Sequence, residues 1–179
     1  MRELSLVISN YIVFILICFL LTGIQTSLWL QLFGYFPGPI LWIPVLNYWA
    51  FNRSPMEAII MSYLIVFILS TMTGMPLGII FISVLACYGI IFLLKDRVLW
   101  SGPSHFTLST AITGYSLPII ILVTSWSLEN QPVTDFQFFN WILSPLLTAL
   151  FSLFLYPVFI IFDRLTAKGA PRDNESEVL

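Results

Sequence analysis

Six long apolar stretches, separated by short connections, make up most of this chain. Its basic residues lie before the first stretch, after the second, after the fourth and after the sixth, and the other three connections contain none. Because Lys and Arg concentrate in the cytoplasmic connections of membrane proteins, this alternation predicts a multi-pass protein whose N and C termini both lie in the cytoplasm. The basic residues are Arg2, Arg53, Lys95, Arg97, Arg164, Lys168 and Arg172.

Composition excludes a water-soluble domain. Only 9% of the 179 residues are charged and 59% are hydrophobic, whereas soluble domains carry about 25% charged residues. A membrane span takes roughly 20 apolar residues, and each span must be helical because lipid offers no water to its amides. We therefore predict an all-α domain of six transmembrane helices over residues 1–165 and a disordered cytoplasmic tail over 166–179. The predicted spans are 5–25, 36–51, 55–71, 75–94, 104–126 and 137–162.

The second predicted span is irregular because it is rich in proline. Each proline lacks an amide hydrogen and disfavours helical geometry in the residue before it, so we expect a short or kinked helix. A broken helix at membrane depth is either satisfied by neighbouring helices or lines a site, and the sequence leaves both possibilities open. If the segment lines a groove or cavity, the candidate lining residues are Tyr35, Phe36, Pro37, Pro39, Trp42, Pro44 and Asn47.

Two connections carry recognisable local signals. The segment Ser54–Glu57, Ser-Pro-Met-Glu, has the pattern of a capping box with proline at the first helical position, which predicts the start of the third span. The turn between the third and fourth spans contains Gly74, Pro76 and Gly78. Its two glycines have the GxxxG spacing that permits close approach of membrane helices, which predicts close contact at this turn.

The predicted spans lack the side chains of an active site. They contain no nucleophile with a base, no pair of carboxylates and no set of metal ligands, which are the groups that intramembrane catalysis requires. Glu57 belongs to the capping box, and His105, the one histidine, has no second ligand spaced to hold a metal. We therefore predict no enzyme, no cofactor, no metal and no nucleic-acid partner. The chain is expected to act by binding partner helices or a small ligand.

The turn at residues 73–78, Thr-Gly-Met-Pro-Leu-Gly, resembles the Ser-Gly-x-Pro-Leu-Gly turn of the MreD family of bacterial rod-shape-determining membrane proteins. The proline-containing second span that leads to Arg53, the length with six spans, and the closing segment 155–159 followed by Asp163 and Arg164 also fit that family. Members often carry an Asp four residues before the turn glycine, where this chain has Ser70. No role of that acid is therefore carried over. For Gly74, Pro76 and Gly78 the resemblance implies a packing or partner-binding turn that lets the third and fourth helices pack closely.

The resemblance implies a non-catalytic subunit of the bacterial cell-elongation complex in the inner membrane, which scaffolds peptidoglycan synthesis and maintains cell shape. Its implied partners are an MreC-like bitopic scaffold and, through it, an MreB-like filament, a RodA-like glycosyltransferase and a penicillin-binding transpeptidase, all within or against the lipid bilayer. The arrangement is also similar to the S components of energy-coupling-factor transporters, so the alternative is the substrate-binding S component of a vitamin-uptake transporter. S components dock through small residues on the first helix, whereas residues 6–21 contain no alanine, which favours the scaffold.

Overall fold

The computed structural model of the chain describes residues 2–95, 102–128 and 138–166. All regular structure in these residues is helical, and no β-strand occurs among them. The first apolar stretch forms one continuous helical rod, because α1 passes through a π-helical turn directly into α2. The elements are α1 (Arg2–Gly23), the π-helix (Ile24–Leu28), α2 (Trp29–Phe33), α3 (Trp42–Asn52), α4 (Pro55–Met72), α5 (Leu77–Lys95), α6 (Pro103–Leu128) and α7 (Phe138–Leu165).

Five helices in the described part of the chain are long and apolar enough to cross a membrane, and they match five of the six predicted spans. The second predicted span, 36–51, is not confirmed as a spanning helix. Its first residues are not helical, and α3 has 11 residues, which is about 16 Å at 1.5 Å per residue, against a hydrocarbon core of about 30 Å. The expected short helix is confirmed, and the prolines that precede it are the cause.

The short helix α3 lies at the centre of the bundle. The long helices surround it in the order α1, α4, α5, α6 and α7, and α7 closes the ring against α1. α3 contacts all five of them, and every residue from Trp42 to Phe51 is buried. A helix that is apolar on all sides is stable where protein encloses it. The ring therefore supplies the surroundings that a helix too short to span the bilayer needs.

A buried polar cluster fixes the C-terminal end of α3, called the Arg53 end below. Arg53 forms an ion pair with Asp163 of α7, and both side chains are almost fully buried. Tyr48 donates a hydrogen bond to the same carboxylate, and Asn10 of α1 donates to it at 3.0 Å. Asn10 also donates to the hydroxyl of Thr166 at 2.7 Å. Because a buried charge is stable only when paired and hydrogen-bonded, the cluster ties α1, α3 and α7 together.

This cluster changes the predicted boundary of the tail. Thr166 is buried and is held by Asn10, so it belongs to the packed domain rather than to the tail predicted from residue 166. The remainder of the predicted tail, 167–179, lies outside the described residues.

Lys95 closes the same end of α3. Its ammonium donates to the carbonyl oxygens of Ala50 at 2.8 Å and of Arg53 at 3.4 Å. A cation in this position satisfies carbonyls that have no partner within the helix and opposes the negative end of the helix dipole. The structure thus brings Arg53, Lys95 and Arg164 to one end of the bundle, as the alternation of charge predicts. Three further basic residues, Arg97, Lys168 and Arg172, lie outside the described residues.

A second polar contact joins the middle of α3 to α6. Asn47 donates to the hydroxyl of Thr110 at 2.7 Å, and Ser109 donates to the side-chain oxygen of Asn47 at 3.0 Å. Asn47 is fully buried. These bonds fix which face of α3 is turned toward α6. At the start of α4, the predicted capping box of Ser54 and Glu57 is confirmed.

Removal of one member of the buried ion pair is expected to destabilise the bundle. In Arg53→Met the Asp163 carboxylate stays buried without its counter-charge, which costs about 3–5 kcal/mol. The double variant Arg53→Met/Asp163→Leu should recover most of that loss, because replacement of both charges by apolar groups is often neutral. Unfolding in SDS followed by far-UV circular dichroism measures the difference. Arg164→Met, at an exposed position, is the control, and equal losses in the single and double variants would contradict this account.

Candidate binding site

The end of the bundle opposite the Arg53 end is built around a non-helical segment, Gly34–Leu41, and is called the Gly34 end. The segment links α2 to the N-terminus of α3. Irregular backbone at membrane depth is stable only where protein groups replace the missing water. Pro37 and Pro39 reduce that demand because neither has an amide hydrogen, and Pro44, in the first turn of α3, stands where an amide would have no partner within the helix.

Two of the remaining amides are bonded by side chains of the surrounding helices. Ile40 donates to the hydroxyl of Thr148 on α7 at 2.7 Å, and Leu41 donates to the side-chain oxygen of Gln25 at 2.9 Å. Gln25 lies in the π-helix, a form of helix that redirects side chains and recurs at functional sites. The non-helical segment is therefore held from two sides of the ring.

The ring of Trp29 covers the segment. Its indole N–H donates to the carbonyl oxygen of Phe36 at 3.0 Å, and the ring centroid lies 4.4 Å from that of Phe33. A Cβ added to Gly38 would lie 2.9 Å from Cδ1 of Trp29, so only glycine fits beneath the ring. Gly34, which ends α2, has a φ of +59°, and glycine adopts this left-handed geometry without a steric penalty.

An open groove of about 320 Å³ lies between this segment and the start of α7. We call it the Gly34 groove. Its walls combine aromatic rings with amide and hydroxyl groups, and Tyr35 at its rim is fully exposed. The lining residues are Gln25, Trp29, Leu30, Gly34, Tyr35, Phe36, Pro37, Gly38, Asn140 and Ser144.

A second space, of about 230 Å³, lies inside the ring and is called the Ser83 cavity. It arises because α3 is too short to fill the interior beyond its first residue, Trp42. Its walls are mainly aliphatic side chains of α4, α5 and α6, with few polar groups among them. The lining residues are Gln25, Ile40, Trp42, Leu69, Thr73, Met75, Ile79, Ile80, Ser83, Val84, Leu117 and Ile121.

Both spaces are lined by uncharged side chains of the described residues. The described residues that line them include no Asp, Glu, Lys, Arg or His. Across residues 2–95, 102–128 and 138–166, no three His, Cys, Asp or Glu side chains converge as metal ligands. What the two spaces present to a bound group is apolar surface together with hydroxyl and amide hydrogen bonds.

Four of the seven predicted lining residues border one of the two spaces. The other three serve the fold: two prolines remove amides from the buried backbone, and the asparagine bonds to α6. Tyr35, Phe36 and Pro37 line the groove, Trp42 lines the cavity, and Pro39, Pro44 and Asn47 are buried and line neither.

The predicted turn with Gly74, Pro76 and Gly78 lies at the Gly34 end, beside the mouth of the Ser83 cavity. A Cβ added to Gly74 would meet no atom within 4 Å, and one added to Gly78 would meet only Cδ1 of Leu128 at 3.6 Å. The close helix approach expected from the GxxxG spacing is therefore not made by the described residues of this chain. A role of the turn in partner binding stays a prediction.

Sequence reasoning missed Gln25 and Ser83. A glutamine at the end of a long apolar stretch was the available signal, because strongly polar side chains at membrane depth tend to be functional or to hold neighbouring backbone. Ser83 could not be distinguished from the many hydroxyls that bond to their own helix. The pairing of Arg53 with Asp163 was also missed, since 110 positions separate the two residues.

Comparison of the chain with protein-family models, with curated protein sequences and with solved structures gave no significant match.

The variant Gly38→Ala is expected to destabilise the Gly34 end. Its methyl group would press on the Trp29 ring, and overpacking of this kind typically costs about 1–3 kcal/mol. Gly74→Ala is the matched control, because the added Cβ meets open space and the change should stay within about 0.5 kcal/mol. SDS-induced unfolding of both variants measures the difference. Identical stabilities would show that the ring of Trp29 yields freely.

Proposed function

We propose that this protein is a non-catalytic integral membrane subunit of the bacterial cell-elongation complex and that it binds partner membrane proteins. The observation that supports the binding part of the proposal is the Gly34 groove, with the fully exposed Tyr35 at its rim. The identity of the assembly rests on the resemblance of the turn and the last span to the MreD family. The groove provides a place where an MreC-like bitopic scaffold would bind.

The shape and chemistry of the groove suit a protein segment. It is open along the surface, and its wall mixes the aromatic rings of Trp29 and Phe36 with the polar side chains of Asn140 and Ser144. Tyrosine and tryptophan are enriched at the centres of protein interfaces, because they bury a large area at a small entropic cost. An exposed tyrosine at the rim of the groove is thus a suitable anchor for a partner.

The position of the groove fits a partner that crosses the membrane once. Under the predicted orientation the Arg53 end is cytoplasmic, because the basic residues gather there, and the Gly34 end faces the opposite side of the inner membrane. The chain of a bitopic protein emerges from its transmembrane helix at that surface. The groove would then receive the segment that joins the partner's helix to its outer domain.

A non-catalytic role is supported by the way in which the buried acid is used. Asp163 is 4% exposed, and its two oxygens accept hydrogen bonds from Arg53, Asn10 and Tyr48. A general acid or base must come within hydrogen-bonding reach of its substrate. The internal partners of Asp163 make it a structural group.

A second candidate, the S component of a vitamin-uptake transporter, is favoured by one observation, the Ser83 cavity inside the ring. Such a component would hold a small molecule within the bundle and would bind a larger membrane subunit through its helices. The exposed groove at the same end is not required for that function.

Site-specific photo-cross-linking tests the proposal. With p-azidophenylalanine in place of Tyr35 in the tagged protein, irradiation of the native bacterial cells is expected to give a discrete adduct with a bitopic coiled-coil protein, identified by mass spectrometry. The matched control places the same probe at Phe154, an exposed aromatic residue on α7, and should give no such adduct.

Two results would overturn the proposal. Identical adduct patterns from the two positions would show that the groove has no specific partner. Co-purification of paired ATPases with a larger membrane subunit would favour the transporter component instead.

A further inference from the structure

The Ser83 cavity contains a buried hydroxyl that partner binding does not use. Ser83 is 4% exposed, and its Oγ forms no hydrogen bond with any described residue. A buried hydroxyl without a hydrogen bond is unfavourable, so most buried polar groups in proteins have a partner. The exception at Ser83 coincides with one of the two spaces of the Gly34 end.

Other hydroxyls in the bundle behave differently. Serine and threonine within helices commonly donate to a carbonyl of the preceding turn, and Ser62, Thr124 and Ser152 do so at 2.8, 2.8 and 2.7 Å respectively. Ser83 makes no such bond, and it is one of the residues that line the cavity. The hydroxyls of Thr22 and Thr113 are also unpartnered, but neither residue lines the cavity.

Two other polar side chains line the cavity, Gln25 and Thr73. Gln25 gives its side-chain oxygen to the amide of Leu41, and Thr73 donates its hydroxyl to the carbonyl oxygen of Leu69 at 2.7 Å. The remaining wall is largely aliphatic, from residues such as Ile80, Val84 and Leu117. No described lining residue carries a charge, and a charged ligand would enter without a compensating partner, which is strongly unfavourable.

We infer that the Ser83 cavity binds a neutral, largely apolar molecule that carries a hydrogen-bond acceptor, such as a carbonyl oxygen, directed at the Ser83 hydroxyl. The cavity, at about 230 Å³, is smaller than the roughly 300–1,000 Å³ of pockets for drug-sized ligands. The occupant is therefore a small molecule or the acceptor-bearing part of a membrane lipophile. This inference does not depend on which protein binds at the Gly34 groove.

Photolabelling with benzophenone tests the inference directly. Benzophenone is small, neutral and apolar, carries one carbonyl acceptor, and inserts into nearby C–H bonds on irradiation. In the purified full-length protein in lipid nanodiscs, labelling is expected to saturate and to map to cavity residues such as Met75 and Leu117. Fluorenone should compete for the site, and fluorene, which has the same ring frame without the carbonyl, should compete roughly two- to tenfold less well, as expected for one lost hydrogen bond.

Substitutions at Ser83 distinguish specific binding in the cavity from partition of the probe into lipid. Ser83→Leu fills the cavity and is expected to abolish the saturable labelling, whereas Ser83→Ala should remove the preference for fluorenone over fluorene. Ser127→Leu, at an exposed position of α6, is the control and should label like the unsubstituted protein.

Several outcomes would overturn the inference. Labelling that does not saturate, or that spreads over lipid-facing residues such as Leu93, would show that benzophenone only partitions into the bilayer. Equal competition by fluorene and fluorenone in the unsubstituted protein would exclude the acceptor contact, even if the variants failed to fold.

The source of the natural occupant is distinguished by native mass spectrometry of protein purified without any probe. An endogenous apolar adduct that is absent from Ser83→Leu assigns the site to a membrane lipophile. Saturable benzophenone labelling of a protein without such an adduct assigns it to a small molecule taken from solution. Either outcome supports binding in the cavity, and neither affects the cross-linking at Tyr35, so failure of one proposal leaves the other testable.

Discussion

A backbone amide at membrane depth has no water to bond, and this constraint governs how the second apolar segment enters the bundle. The segment cannot be a helix from its start, because its prolines forbid it. Instead, two of its residues have no amide hydrogen, and the amides of Ile40 and Leu41 bond to side chains of α7 and the π-helix. α3 begins only after that, and its short length leaves interior space between the long helices. The groove and the cavity both follow from this single irregularity.

At the opposite end of α3, carbonyl oxygens and a buried charge need partners, instead of amides. There the helix ends inside the ring, so its last carbonyls and the guanidinium of Arg53 must find partners in the protein. Asp163, Asn10 and Lys95 provide them, and the charge of Arg53 is neutralised by α7. The guanidinium carbon also lies 5.7 Å from the ring centroid of Trp49, within the range of a cation–π contact. Nη2 of Arg53 is therefore bonded, whereas its Nε and Nη1 have no hydrogen-bond partner among the described residues.

The long helices could be predicted because their signals are local. A membrane span is recognised from about 20 consecutive apolar residues. A helix cap such as Ser54 is recognised from its immediate neighbours in the sequence. The second segment was correctly expected to be broken, but its position at the centre of the ring depends on contacts with five other helices. The same limit applies to Asn47, which was expected in a groove and instead bonds to α6. Local pattern cannot decide whether a polar residue in an apolar segment faces a ligand or a neighbouring helix.

The glycines also show that sequence spacing does not predict which atoms come into contact. Gly74 and Gly78 have the spacing of a close helix contact, yet the space around them is open or ordinary. Gly38, in no recognised motif, lies under the Trp29 ring and admits no side chain. Spacing states only that an approach is permitted, whereas a covering ring is visible only once the chain is folded.

The two ends of the bundle therefore differ in how strongly they are held. The Arg53 end is fixed by charge-assisted hydrogen bonds, which are roughly twice as strong as neutral ones. The Gly34 end is held by neutral hydrogen bonds to a non-helical segment and by one aromatic ring. Segments that bind ligands or partners tend to come from the less strongly held parts of a fold. The buried ion pair therefore fixes α3 against α7 at one end, whereas at the other end neutral hydrogen bonds hold the non-helical segment to the surrounding helices.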